Sequence, residues 1–270
     1  MTQHPSSACS LTRRAAIAGP ILGLLTRRAR AAQQPCLVTR VPILERGMVG
    51  TLFLPNHPTD RPAVVCLTGA MGGLAEAPAQ ALAADGFPAL ALATHGVAGR
   101  PERLRLLPLD YVEDAVEWVR ARSGNGRVAL RGWSRGGELA LLLASLTPSV
   151  GAVLAYAPRC YVGLEHGKPN NFTDPTAAAA WTWRGQPVVV ASLPPTMWAD
   201  PTRWSFEETR GIPVENIRGP IMLVSGDADT GLAGTTARFG CESVMRRLAL
   251  HRFAYGISRF GRSGRACLSA

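Results

Sequence analysis

Short apolar runs alternate along this chain with longer stretches in which apolar residues recur every three or four positions. The runs are typical of buried strands, and the recurrence is typical of helices. The predicted core strands are 63–67, 87–93, 128–133, 150–156, 220–225 and 251–255. The predicted helices are 75–84, 109–120, 136–146 and 235–248. This alternation indicates an α/β fold with a mainly parallel sheet and helices on both faces.

Two regions depart from this alternation. Residues 37–44 and 48–54 flank Glu45-Arg46-Gly47, and they predict a β-hairpin. Residues 158–218 are irregular and rich in Pro and Ala. This stretch is either a lid-like insertion over a pocket or a surface excursion with an apolar cluster of its own. Four of the six tryptophans belong to it: Trp181, Trp183, Trp198 and Trp204.

The beginning of the chain has the pattern of a bacterial export signal. The twin arginine Arg13-Arg14 precedes an apolar stretch over 15–25, and the small-residue site Ala29-Arg30-Ala31 follows. We therefore expect residues 1–31 to be a twin-arginine signal peptide recognised by the export machinery. The mature protein, 32–270, would be periplasmic or secreted. The alternatives are a membrane-retained anchor and a misassigned start codon.

Composition narrows the classes of function. A chain of 270 residues suits one α/β domain of ordinary size. The net charge of +10 comes almost wholly from arginine, since Lys168 is the only lysine. The arginines form no stripe interleaved with aromatic residues, so nucleic acid is not an expected partner. The cysteines lack metal-ligand spacing, and no metal or organic cofactor is implied.

Gly132-Trp133-Ser134-Arg135-Gly136 matches the G-x-S-x-G pattern. A strand is predicted before it and a helix after it, as a nucleophile elbow requires. The glycines leave room for a sharp turn that lifts the serine hydroxyl above the sheet. We expect Ser134 to be a catalytic nucleophile, and a purely structural glycine turn is the alternative.

Other groups needed for acyl transfer follow from the predicted sheet. An oxyanion hole would use the backbone N–H of Arg135 together with that of Ala70 or Met71, in the glycine-rich loop after strand 63–67. A glycine-rich strand-to-helix turn without catalytic function is compatible with the same pattern. Asp229, with Asp227 in reserve, follows strand 220–225 at the edge that carries Ser134.

Six segments carry a resemblance to a known family. They are GTLFLP (50–55), RPAVVCLTGAMGGL (61–74), LAADGFPALALA (82–93), LPLDYVEDAVEWV (107–119), GWSRGGELALLLAS (132–145) and GPIMLVSGDAD (219–229). From about Arg40 to Tyr255 the chain resembles the α/β-hydrolase domain shared by acyl-CoA thioesterases, bile acid-CoA:amino acid N-acyltransferase and bacterial relatives of dienelactone hydrolase. The resemblance implies an acyl-enzyme on Ser134 with Asp229 as the acid. Family members usually carry a larger β-sandwich before this domain, of which only the hairpin-like piece 37–54 has a counterpart here.

The family's catalytic histidine has no counterpart at its usual place. The resemblance puts it in a short glycine-containing loop after the last strand, where this chain has Ser258 and Arg259. Without an adjacent base, a serine hydroxyl is a poor nucleophile at neutral pH. A changed C-terminus, for example through a shifted reading frame, is one explanation.

The chain offers five histidines as substitutes. His4 is lost with the signal, and His57 lies in a turn far from the elbow. His251 is in the right region, but it begins the predicted last strand and would lie at the wrong end of it. His95 ends a core strand at the catalytic edge, where a loop or pocket-lining position is favoured. His166 lies in the insertion and would need lid closure.

The sequence thus predicts an exported serine hydrolase that cleaves a small-molecule carboxylic ester or acyl thioester, with His251 as the named candidate base. Export favours a carboxylic ester, because CoA is mainly a cytoplasmic carrier. The alternative is a catalytically impaired or non-catalytic binding protein on the same scaffold.

Overall fold

The computed structural model describes residues 38–159, 161–165, 178–188, 211–226 and 248–253, with the backbone alone for 226 and 248–253. The predicted signal peptide lies outside the described residues, as does the helix predicted over 235–248, except for Leu248. Within the described residues, no helix combines the length and apolar character needed to cross a membrane.

Within the described residues, eight strands form one sheet: β1 Val38–Glu45, β2 Met48–Pro55, β3 Ala63–Leu67, β4 Ala89–Leu92, β6 Val128–Trp133, β7 Ala152–Tyr156, β10 Ile221–Gly226 and β11 Leu248–Phe253. Their order in the sheet is β1-β2-β4-β3-β6-β7-β10-β11. The hairpin β1–β2 is antiparallel, β2 is antiparallel to β4, and every later pair is parallel. This is the strand order of an α/β-hydrolase fold, and it confirms the fold class expected from the sequence.

Local sequence explains strand β3 and the turn between β1 and β2. β3 is buried at every position, which its continuous apolar run requires in a sheet covered on both faces. The predicted hairpin forms around Arg46 and Gly47, whose φ values are +52° and +71°. Two successive positive φ values match the twist of a tight hairpin, and glycine adopts them readily.

The helices α1 (Glu76–Ala84), α2 (Leu109–Arg120) and α3 (Arg135–Leu146) cover both faces of the sheet. The buried alanines of α1 pack on one face against Val64, Cys66 and neighbouring residues. Helices α2 and α3 pack on the other face, where they complete the main core. α3 is buried along almost its whole length, so it forms the centre of that layer.

The region 158–218 contributes directly to the core. Tyr161, Val162, Trp181 and Ile212 are buried, and Val162, Trp181 and Ile212 belong to the main apolar cluster. A small second sheet joins β5 (Leu107–Pro108), β8 (Trp181–Trp183) and β9 (Gln186–Pro187). These four described residues of the region are therefore packed into the interior of the domain. Trp198 and Trp204 lie outside the described residues.

Most predicted boundaries agree with the structure to within two residues, and three elements agree in full: β3, α2 and β6. The last strand differs. It spans Leu248–Phe253 instead of 251–255, so His251 is its fourth residue and does not begin it. The reason is parallel pairing, because each of the six residues from Leu248 onward has a partner on β10.

Candidate active site

Ser134 occupies a sharp turn between β6 and α3. Its φ and ψ are +51° and −116°, values that a non-glycine residue rarely adopts. Its amide donates a hydrogen bond to the carbonyl oxygen of Tyr156 at 2.8 Å, which fixes the turn to the neighbouring strand. Its side chain does not cap α3, although the residue stands at the N-terminus of that helix. The backbone is therefore that of the nucleophile elbow predicted from the sequence.

The two glycines of the motif are required by close backbone approach. A Cβ on Gly132 would collide with the carbonyl group of Gly136, the second residue of α3. A Cβ on Gly136 would collide with the carbonyl oxygen of Thr68 and lie 3.0 Å from that of Leu67. Any larger residue would push the first turn of α3 away from the ends of β6 and β3. The spacing of the motif thus reflects steric fit on both sides of Ser134.

The glycine-rich loop after β3 lies beside the serine. A Cβ placed on Gly69 would be 4.0 Å from Ser134 Oγ and 3.4 Å from Ser134 Cβ. The loop turns back on itself through a 3.1 Å hydrogen bond from the Gly72 amide to the Gly69 carbonyl oxygen. The structure therefore brings together the serine and the loop that the sequence paired with it.

Three backbone amides at this place are candidates for an oxyanion hole. In the part of the chain that the structure describes, the amides of Ala70, Met71 and Arg135 donate to no backbone carbonyl. Arg135 begins α3, where the first amides of a helix have no partner within the helix. These groups can donate to a substrate oxygen, and the partial positive charge of the helix N-terminus favours a negative one.

His95 is hydrogen-bonded to the loop after β3 and supports its conformation. It is 2% exposed, and its Nε2 lies 3.0 Å from the carbonyl oxygen of Ala70. Since a carbonyl can only accept, Nε2 donates to it, and Nδ1 is hydrogen-bonded to the Thr94 hydroxyl at 3.0 Å. The His95 carbonyl also accepts from the Gly73 amide at 2.9 Å. Both ring nitrogens thus have hydrogen-bond partners, and His95 holds the loop in place.

Comparison with known families agrees with this geometry. Residues 107–255 match the family described as "BAAT / Acyl-CoA thioester hydrolase C terminal", a match over more than half of the chain. The chain belongs to this family. The matched segment includes the elbow, whereas the loop over 68–73 precedes it.

Individual members show how far the similarity extends. The chain is 38% identical to mouse acyl-coenzyme A thioesterase 1 over 120 residues, covering 43% of this chain and 28% of that one. It is 29% identical to mouse peroxisomal succinyl-coenzyme A thioesterase over 195 residues, covering 71% and 46%. The chain therefore spans less than half the length of either curated relative. An esterase structure from Pyrobaculum calidifontis has a TM-score of 0.48 at 17% identity, covering 80% of this chain and 75% of that one.

The first turn of α3 also carries a buried ion pair that sequence reasoning missed. Arg135 and Glu138 are 2% and 0% exposed, and their Nη1 and Oε2 atoms lie 2.7 Å apart. Burial lowers the pKa of the Arg135 guanidinium, and the negative charge of Glu138 opposes that shift. A signal for the pair was present, because an arginine and a glutamate stand three residues apart in an otherwise apolar, glycine-rich helix start.

The expected acid and one candidate base cannot be placed. Asp227, Asp229 and His166 lie outside the described residues. His57 is exposed and follows β2, whose end lies at the opposite edge of the sheet, because β2 runs antiparallel to β4. Among the described residues, no group of three His, Cys, Asp or Glu side chains is arranged to hold a metal ion.

The register of the sheet corrects the expected position of His251. Trp133 pairs with Tyr156, Tyr156 with Val224, and Val224 with His251. His251 is therefore level with the residue before Ser134, not at the wrong end of its strand. Three strand spacings separate β11 from β6, or about 14 Å.

Proposed function

We propose that this protein is a serine hydrolase that cleaves a carboxylic ester or acyl thioester through an acyl-enzyme on Ser134. The observation that carries the proposal is the positive φ of Ser134 at the turn between β6 and α3. Such strain persists only where the surrounding structure enforces it, and it is concentrated at functional sites. Membership in a family described by acyl-CoA thioester hydrolysis supports the reaction class.

In the proposed reaction, Ser134 Oγ attacks the substrate carbonyl carbon, and a base takes the hydroxyl proton. The backbone amides of Arg135 and Ala70 donate to the resulting oxyanion. Collapse of the intermediate breaks the bond to the alcohol or thiol, which leaves with that proton. Water then attacks the acyl-enzyme and releases the acid, which regenerates Ser134. Asp229 would orient the base, for which His251 remains the named candidate; the reaction calls for neither metal nor organic cofactor.

The proposed substrate is a small acyl ester or acyl thioester. Named relatives are acyl-coenzyme A thioesterases, and this chain spans less than half of their length. A small acyl ester or thioester is compatible with the elbow chemistry, because both present a carbonyl carbon and a leaving group. The leaving group, oxygen or sulfur, is a matter for direct assay.

The test is hydrolysis of p-nitrophenyl butyrate and of butyryl-CoA by the full chain beside Ser134→Ala. Turnover that disappears in the variant supports the proposal. A fluorophosphonate probe on both proteins gives a second readout, because labelling needs an activated serine at the elbow. Equal background rates and no labelling of the native protein would overturn it. If the native protein is active, replacing His251 and His166 singly by glutamine identifies the base.

A binding protein on a hydrolase scaffold is the second candidate. It is favoured by the placement of the two histidines whose side chains the structure describes. His57 is at the far edge of the sheet, and His95 is committed to Ala70 and Thr94. This candidate predicts that acyl esters bind without turnover and that the fluorophosphonate leaves Ser134 unlabelled.

We further propose that residues 1–31 direct export by the twin-arginine route to the periplasm or the medium. The support is the Arg13-Arg14 pair, the apolar stretch and the Ala29-Arg30-Ala31 site. A fusion of residues 1–40 to a reporter that functions only after export in the folded state tests this. Replacing both arginines by lysine should abolish export, and an unchanged signal would refute the route.

A further inference from the structure

The buried pair Arg135–Glu138 joins the nucleophile turn to a distant part of the chain. Glu138 Oε1 accepts from the Gly163 amide at 3.0 Å and from Trp181 Nε1 at 2.8 Å. Arg135 Nη2 donates to the carbonyl oxygens of Gly163 and Leu164 at 3.3 and 3.0 Å. One carboxylate and one guanidinium thus hold two segments against the start of α3.

Those two segments are the flanks of 166–177. The Glu165 amide donates to the Ala178 carbonyl oxygen at 2.9 Å, and the Ala180 amide donates to that of Gly163 at 3.3 Å. A bridge between Leu164 and Ala179 joins them as well. The flanks therefore form one unit, and that unit is attached to α3 through Arg135 and Glu138.

The approach of the unit to the guanidinium is unusually close. A Cβ on Gly163 would collide with Arg135 Nη1 and lie 2.6 Å from Arg159 Nη1. The Arg135 guanidinium also lies 5.5 Å from the centre of the Trp181 ring. Glycine at position 163 therefore leaves room for the Arg135 guanidinium, which any side chain there would displace.

Stability alone does not explain this pair. The desolvation of two buried charges offsets much of their attraction, and well-packed apolar replacements are often equally or more stable. Arg135 Nη1 and Glu138 Oε2 are close but are not aligned as a hydrogen bond. Their attraction therefore offsets less of the desolvation cost than an aligned pair would. However, Arg135, one member of the pair, is the residue directly after Ser134.

We propose that Arg135 and Glu138 are positioning residues for the oxyanion hole. In this inference, which rests on the proposed function, the fixed guanidinium holds the Arg135 backbone so that its N–H points at the developing oxyanion. Misplacement of a catalytic group by about 1 Å can cost about 100-fold in rate. The pair also makes the elbow sensitive to the unit formed by the flanks of 166–177, because that unit supplies the acceptors for Arg135.

The experiment compares four full-chain proteins with p-nitrophenyl butyrate. Glu138→Gln keeps an oxygen for the Gly163 and Trp181 donors but removes the charge that faces Arg135. Arg135→Met with Glu138→Gln removes both charges, so no unpaired charge stays buried. Glu117→Gln is the matched control, since Glu117 forms an i,i+3 ion pair with Arg120 on the surface of α2. The native protein is the reference for kcat, KM and urea unfolding.

We expect Glu138→Gln to lower kcat by about 10- to 100-fold and to leave KM within about twofold of the native value. The reason is that a misplaced Arg135 amide weakens an interaction made in the transition state and not with bound substrate. The double variant should recover stability toward the native protein and keep the low kcat. Glu117→Gln should match the native protein in both constants.

Two outcomes would overturn the inference. If kcat of the double variant returns with its stability, the pair serves the fold alone. If Glu138→Gln keeps the native kcat while folded, the pair does not position the amide. A native protein without Ser134-dependent turnover or fluorophosphonate labelling is a different result, because it refutes the proposed function and removes this inference with it.

Discussion

The strained backbone of Ser134 predicts that replacement by glycine stabilises the protein while abolishing activity. At φ +51° and ψ −116° a non-glycine residue costs about 1–3 kcal/mol, and glycine adopts such angles freely. Glycine also gives the unfolded chain more freedom, which costs about 0.4–1 kcal/mol. The hydroxyl makes no hydrogen bond in the part of the chain that the structure describes, so little else is lost. The net expectation is a gain of about 1 kcal/mol.

The measurement is urea unfolding of Ser134→Gly beside Ser134→Ala, which removes the hydroxyl but keeps the strain. If the free energy of unfolding falls by about 2 kcal/mol per molar urea, the glycine variant should have a midpoint about 0.5 M above that of the native protein. Ser145→Gly is the matched control, because Ser145 lies within α3 with helical backbone. There the same change should destabilise by about 0.5–1 kcal/mol. Equal midpoints for Ser134→Gly and Ser134→Ala would show that the turn stores no strain, and the reasoning would fail.

Three further predictions test the elbow, the loop after β3 and the buried thiol of β3. Gly132→Ala should destabilise by about 3 kcal/mol in urea unfolding, because its Cβ meets the Gly136 carbonyl group; native stability would refute the steric argument. His95→Ala should cost about 1–3 kcal/mol by leaving the Ala70 carbonyl unpaired, and fluorophosphonate labelling should slow; an unchanged labelling rate would contradict its support of the loop. Burial raises the pKa of the Cys66 thiol from 9.0 to about 12, so iodoacetamide at pH 8 should modify Cys66 only after unfolding, as peptide mass spectrometry would show.

The Cys66 shift also sets a direction for stability against pH. Nearby Arg131 lowers the thiol pKa, but the effect of burial is larger. Because the folded protein holds the thiol proton more tightly than the unfolded chain, this stabilisation is complete below pH 9.0 and is lost as the pH rises toward about 12. Comparison with Cys66→Ala between pH 8 and 11 would isolate this contribution. A constant difference between the two proteins over that range would contradict the shift.

Features with a local cause were predictable from the sequence. The hairpin turn at Arg46-Gly47, the buried strand β3 and the amphipathic helix α2 depend on residues close together in the chain. The elbow belongs to this group, since strand, glycine, serine, glycine and helix follow one another without interruption. The loop beside Ser134 was predicted from topology instead, because the parallel strands β3 and β6 end at one edge of the sheet.

Features that depend on distant residues were missed or misplaced. His95 was favoured as a loop or pocket-lining residue, but the hydrogen bond that ties its ring to Ala70, 25 positions earlier, was missed. For residues 158–218 the lid or surface excursion stays a prediction, but the sequence did not indicate that Trp181 is part of the main core. The position of His251 was wrong by three residues along its strand, because parallel pairing with β10 decides where the strand begins.

The sequence by itself determined the α/β alternation, the elbow and the identity of its serine, because periodicity and glycine spacing act over a few residues. Only the tertiary structure decided which side chains support that serine. Glu138 meets Gly163 and Trp181 across 25 and 43 positions, a distance over which no periodic pattern extends. A charged residue in an apolar helix start signals a buried partner, but packing of the whole domain determines which residue that partner is.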